Sequence, residues 1–119
     1  MHLPHDAMLL RIFVGETARW KHQPLYEAIV LKARDLHLAG ATVLRGPMGY
    51  GKSTVLHTAK ILRLSFELPL IIEIVDAEEK INKFLPVLDE MMTSGLVTLE
   101  KVKVIYYRAE QEVTEPPSI

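Results

Sequence analysis

The sequence predicts an α+β chain of element order β-α-β-β-α-β, the ferredoxin-like split βαβ arrangement. Three observations carry the prediction. Four short apolar runs rich in β-branched residues lie at Met8–Gly15, Ala41–Arg45, Leu70–Val75 and Val97–Tyr107. Two longer stretches, Pro24–Leu38 and Asp76–Gly95, instead repeat their apolar residues every third or fourth position. Turn residues separate the runs, with strand–helix–strand occurring twice. The expected product is a four-stranded antiparallel sheet with two helices on one face. Its other face would be open, which invites several copies to assemble sheet to sheet.

The first strand is almost wholly apolar, with Arg11 the exception, as suits a central strand lightly exposed on one side. Glu16–Gln23 is a polar loop carrying Arg19, Trp20, Lys21 and His22. Trp20 either closes the edge of the core or lies over a neighbouring cleft. Pro24 suits the first turn of a helix, where its missing N–H costs nothing. The first helix presents Leu25, Ala28, Ile29, Ala33 and Leu36 on one face, and Gly40 is the expected stop. The third strand carries one charge, Glu73, which either pairs with a cation across the sheet or accepts a ribose hydroxyl. Asp76, with Glu79 three residues on, has the spacing of a capping box for the second helix. That helix has the cleanest apolar stripe in the chain, Ile81, Phe84, Leu85, Leu88, Met91 and Met92. Pro86 lies inside it and cannot donate to the carbonyl of Asn82, so a bend is expected there. Lysines alternate with valines in the fourth strand, as on a solvated edge.

Length and composition exclude several classes. At 119 residues, one domain over 1–119 is expected, with its core at about 8–108. A chain of this size buries roughly 65% of its unfolded surface, so it needs no disulfide or metal to fold. With no cysteine, disulfides, a cysteine nucleophile and cysteine-ligated metal are excluded. The five histidines show no ligand spacing, and no metal site is expected. A net charge of −1 gives no general attraction for nucleic acid. The start, MHLPHDAM, lacks a signal-peptide pattern, and no apolar run approaches the ~20 residues of a membrane span. A cytoplasmic protein is the expectation. No paired carboxylates or Ser-His-Asp set is visible, so no enzyme is predicted.

The chemistry concentrates in ATVLRGPMGYGKS, from Ala41 to Ser53. A strand runs into a loop whose glycines, Gly46, Gly49 and Gly51, permit positive φ and close approach of a ligand to the backbone. Arg45 and Lys52 bracket them with positive charge. Backbone N–H groups between two cations suit an anion, a nucleotide phosphate above all. Tyr50 could stack on a base or meet a partner. Gly46 to Ser53 also satisfies the P-loop pattern G-x-x-x-x-G-K-[ST], and LIIEIVD ends a strand in Asp76 as a magnesium-binding aspartate would. A small P-loop nucleotide hydrolase using Lys52, Ser53 and Asp76 is therefore an alternative. Against it, such enzymes need a parallel sheet with helices on both faces, and this chain has too few elements.

The segments Gly15-Glu16, PLYEAIV (Pro24–Val30), LAGATVLRGPMGYG (Leu38–Gly51), LPLIIEIVD (Leu68–Asp76) and GLVTLEKVKV (Gly95–Val104) resemble the bacterial and archaeal PII-like proteins grouped as a domain of unknown function. The resemblance covers about Leu9–Tyr107. It implies a ferredoxin-like core assembled as a homotrimer. It also implies a long mobile T-loop between the second and third strands, here 50–67, which the sequence alone reads as either helix or loop, and a flexible tail over 109–119. PII proteins bind adenine nucleotides between subunits through the T-loop base, the loop before the fourth strand and the chain end. Those regions are Arg45–Lys52, Thr93–Thr98 and Lys101–Arg108 here. The nucleotide ligands implied are Arg45, Gly46, Gly49, Tyr50, Gly51, Lys52, Thr98 and Arg108, with AMP, ADP or ATP as ligand, with or without magnesium, and no required cofactor. Two departures matter. TSGLVTLE (Thr93–Glu100) has one glycine and no cation where PII proteins have a basic, glycine-rich loop. The uridylylated tyrosine has no counterpart, so control by 2-oxoglutarate is not carried over. The implied role is a regulatory protein acting on a target protein, a membrane protein among the candidates. A trimeric scaffold without ligand is the remaining alternative.

Overall fold

A computed structural model describes residues 3–50, 57–58 and 68–109. Six main elements form in the predicted order. They are β1 (Asp6–Gly15), α1 (Leu25–Asp35), β2 (Thr42–Arg45), β3 (Pro69–Asp76), α2 (Glu78–Met91) and β4 (Leu96–Lys103). The four strands make one antiparallel sheet in the order β2-β3-β1-β4, which places β1 and β3 in the middle. Two short ribbons accompany it, one pairing Arg19–Trp20 with Gln23–Pro24 and one pairing Met48–Gly49 with His57–Thr58. Apart from Tyr50, His57 and Thr58, the expected loop 50–67 lies outside the described residues, as does the expected tail beyond Ala109.

Period-two alternation divides the central strands cleanly. Leu10, Ile12 and Val14 of β1 and Leu70, Ile72 and Ile74 of β3 are buried on the helix side. The helices answer at helical spacing, with Leu25, Ala28, Ile29 and Ala33 from α1 and Ile81, Phe84, Leu88 and Met91 from α2. This single layer of contact is the hydrophobic core. The opposite face carries Leu9, Phe13, Leu44 and Ile71 at partly accessible positions, and among the described residues no layer lies above it. Arg11 and Glu73 lie opposite one another on that face, joined by an Arg11 Nε–Glu73 Oε2 bond of 2.8 Å. Arg11 Nη1 reaches Glu100 on β4 at 3.3 Å. The lone charge of the third strand thus pairs with a cation across the sheet. The Glu73 hydrogen bond is the main cause that holds the Arg11 guanidinium above its ordinary value; burial opposes it, and the charges of Glu73 and Glu100 add to the rise. The stability linked to that shift is complete below the ordinary arginine value and is lost only at still higher pH, so Arg11 adds no pH dependence near neutrality.

Several local expectations are corrected. Asp76 does not cap α2; the cap position is Ala77, whose backbone at φ −61 and ψ 147 makes no side-chain cap bond. The 2%-exposed Asp76 carboxylate instead accepts the N–H of Ala77 at 2.7 Å and that of Ala39 at 2.8 Å. Gly40 does not stop α1. His37 takes the left-handed conformation at φ 62, its N–H bonds to Arg34 O at 2.9 Å, and Leu38 N–H bonds to Ala33 O at 3.0 Å. That is a Schellman ending with histidine where glycine is usual. The fourth strand stops at Lys103 and does not continue to Tyr107, because its partner β1 begins at Asp6 opposite Lys103. One more bond, Val104 N–H to His5 O at 2.7 Å, turns the chain away. It then crosses the end of the sheet until Tyr107 Oη donates to Ala39 O at 2.9 Å. Trp20 packs against the core edge, with Lys21 Nζ 4.6 Å from its ring centre.

Candidate functional site

The strand pairing defines two ends of the sheet. At one end β1 finishes, β2 finishes, and β3 and β4 begin. Arg45, Gly46, Gly49 and Tyr50 gather there. β2 stops at Arg45 opposite Leu70, Gly46 N–H donates to Pro69 O at 2.8 Å, and Glu16 N–H donates to Leu68 O at 2.8 Å. These two bonds draw the outgoing and returning chain into a neck. The ribbon of Met48–Gly49 with His57–Thr58 prolongs it.

The glycines of the neck serve for want of a side chain rather than for unusual backbone. Neither Gly46 nor Gly49 has positive φ. A Cβ on either would come within 3.0 Å of Pro69 Cγ, inside the ordinary contact distance, and the pyrrolidine ring has little room to yield. Small residues thus let the chain lie flat on Pro69, and Tyr50 projects 77% exposed at the tip of the described neck. Arg45 crowns the site. Its guanidinium Nη2 donates to Glu16 Oε2, with the arginine side chain 60% exposed and the glutamate 26%. Gly51 and Lys52 lie outside the described residues.

At the same end, the turn into β4 requires Gly95. Its φ of +120° is hostile to other residues, and a Cβ there would lie 2.5 Å from Phe13 O. Thr98 follows on β4, opposite Arg11. β2 and β4 are the two edges of the sheet, and Arg45 is level with Val14 whereas Thr98 is level with Arg11, so the two stand about 14 Å apart across the strands and about 10 Å apart along them. Arg108 is at the other end, over the Tyr106 ring at 4.1 Å and next to Tyr107, which is bonded to Ala39. The extended chain from Ala39 to Arg45 covers about 20 Å. Within one chain, therefore, four of the expected ligands converge, and Thr98 and Arg108 join neither them nor each other. A cavity of about 620 Å³ lies beside Tyr107, lined by Gly40, Thr42, Glu73, Val75 and Val102 among others.

Sequence reasoning missed Glu16 as the partner of Arg45. The Gly15-Glu16 pair stands out in the sequence, but nothing local marks what it meets. Among the described residues, no group of three or more His, Asp or Glu side chains is placed to hold a metal ion. The P-loop alternative loses its aspartate, because both Asp76 oxygens are occupied by backbone N–H groups. The sheet is also antiparallel throughout rather than parallel.

The antiparallel β2-β3-β1-β4 sheet, with two helices on one face and a glycine neck between β2 and β3, defines a ferredoxin-like α+β fold. The chain belongs to the DUF190 family, described as "Uncharacterized ACR, COG1993", whose model matches residues 7–104. A UPF0166 protein of Aquifex aeolicus (strain VF5) is 42% identical over 98 residues, covering 82% of this chain and 92% of that protein. The UPF0166 protein MJ1524 of Methanocaldococcus jannaschii is 37% identical over 105 residues, covering 87% and 94%. Among solved structures, TTHA0516 of Thermus thermophilus, described as PII-like, superposes with a TM-score of 0.61 at 18% identity, over 84% of this chain and 90% of that one. CPII of Thiomonas intermedia, a nitrogen regulatory PII-like protein bound to ADP, AMP and bicarbonate, gives a TM-score of 0.57 at 15% identity, over 87% and 97%. The structural likenesses establish the fold.

Proposed function

We propose that this chain is a PII-like regulatory protein that binds an adenine nucleotide in clefts between copies of itself. The observation that carries the reading is the division of the site. A phosphate-suited neck of Arg45, Gly46, Gly49 and Tyr50 lies at one edge, and Thr98 and Arg108 lie apart from it and from each other. Assembly of copies as a homotrimer would bring the three regions together, and the open apolar face of the sheet is a surface suited to that assembly. The adenine nucleotides bound by CPII, a protein of the same fold, favour AMP or ADP as ligands, with ATP third. The neck would hold the phosphates, with Gly51 and Lys52 completing it, and the segment 50–67 would present a different surface to a target protein once the phosphates engage its base. The role is regulatory rather than catalytic, and the expected compartment is the cytoplasm. Among the described residues, no helix is long and apolar enough to cross a membrane.

Calorimetry with AMP, ADP, ATP and cyclic AMP, with and without magnesium, tests this. Micromolar binding of at least one, without turnover, is the expected result. Lys52→Ala should weaken it at least tenfold, or about 1.4 kcal/mol. Magnesium-dependent hydrolysis would instead favour the P-loop reading, and a trimer that binds none of the four would favour a scaffold.

A further inference from the structure

Arg45 is the one described cation at the neck, and in the structure a carboxylate of the same chain already holds it. The two partners are unequal. Glu16 is mostly covered and anchored through its own N–H to Leu68 O, directly after Gly15, which pairs with Pro69. Arg45 is mostly exposed, at the end of an edge strand. The carboxylate is thus the fixed member and the guanidinium the one free to turn outward. The pair also spans the mouth of the neck, because β1 and β2 flank β3 on either side. A phosphate seated against the neck would compete with Glu16 for the same fork of N–H donors and would be repelled by its charge.

We propose that Glu16 is an internal competitor for the anion site. It occupies Arg45 until a phosphate displaces it, lowers the affinity of the neck for anions, and so determines affinity at a site it does not help to form. This rests on the nucleotide reading above, and the two can fail separately. The reasoning gives Glu16 a role opposite in sign to that of a ligand. Removing its charge should tighten binding, whereas removing a group that accepts a ribose hydroxyl would loosen it.

The test is calorimetric titration of ADP into the full chain and its Glu16→Gln, Arg45→Gln and doubly substituted variants, at low and moderate salt. Glu16→Ala serves as a second variant should the glutamine find a new partner. The expected result is ADP binding about threefold to tenfold tighter in Glu16→Gln, with the gain absent in the Arg45→Gln background, as coupled residues require. Binding detectable only after Glu16→Gln would support the competition equally. If the unaltered chain binds ADP and both Glu16 variants bind it equally or more weakly, the competition is overturned and the nucleotide reading stands. If no form of the chain binds ADP, the same titrations are run with AMP, ATP and cyclic AMP, and binding of none of the four by any form means that the nucleotide reading fails and the competition with it.

Discussion

Asp76 ends the strand LIIEIVD, where an aspartate holding magnesium would stand in a nucleotide hydrolase, yet each of its oxygens accepts a backbone N–H. One of those bonds is to Ala77, just ahead of α2, and the other reaches Ala39, in the connection from α1 to β2. Both are charge-assisted and lie in a position 2% exposed, so truncation would strand two N–H groups in the interior. Asp76→Ala should cost about 3 kcal/mol in urea unfolding. Asp76→Asn should cost about half as much, because the amide can accept at one oxygen while its nitrogen faces the other N–H. The bond to Ala39 could not be read from sequence, because it joins residues that only the folded sheet makes neighbours. The capping-box spacing is locally sound, but the carboxylate accepts the N–H of Ala39, remote in sequence, instead. Glu73 is the contrary case. A solitary charge on an apolar strand needs a partner, so a cation across the sheet was one of two readings open from the sequence, and the strand order makes Arg11 that cation.

At the scale of single elements, the apolar stripe of α2 was fully readable, and Ile81, Phe84, Leu88 and Met91 all lie within it. The boundaries of α1 and β4 were less so, each for a definite reason. In β4, Val102, Val104 and Tyr106 continue a strand-like alternation, but β1 supplies no partner past Asp6 and the pairing ends there. Alternation marks a strand's faces and is silent about where its neighbour stops. In α1 the helix closes on His37 at φ 62, with Lys80 Nζ bonded to His37 O at 2.7 Å from the first turn of α2. A glycine search passes over such a position. Left-handed backbone is costly for a residue with a Cβ, about 1–2 kcal/mol, and replacement by glycine returns part of that to unfolded-chain entropy. His37→Gly should therefore raise stability by about 0.5–1 kcal/mol in thermal or urea unfolding, since Lys80 contacts only the backbone there. A loss of stability would mean that the imidazole makes a contribution beyond its backbone geometry.

At the scale of the whole molecule, the described residues leave the sheet with one covered face and one bare one. Leu44 lies on the bare face opposite Ile71, 45% exposed on an edge strand, so a charge there leaves the core of a single chain untouched. If the bare face carries the proposed trimer contact, Leu44→Glu should shift the chain from trimer to monomer in sedimentation equilibrium with unchanged far-ultraviolet circular dichroism. A variant that remains trimeric would exclude this face as the contact. The element order and the bare face were legible because hydrophobic period alone determines them. The separation of Arg45, Thr98 and Arg108 was not, because it depends on strand order and direction. The neck has one more consequence. The chain leaves β2 and returns to β3 at points already fastened, Gly46 to Pro69 directly and Leu68 to Glu16 at the end of β1. The sheet therefore experiences whatever lies between as a closed parenthesis. Doubling its length costs only about 0.6 kcal/mol of closure entropy. Descendants of one ancestral sheet can rewrite that insertion, lengthening or shortening it to suit new correspondents, while every strand keeps its register.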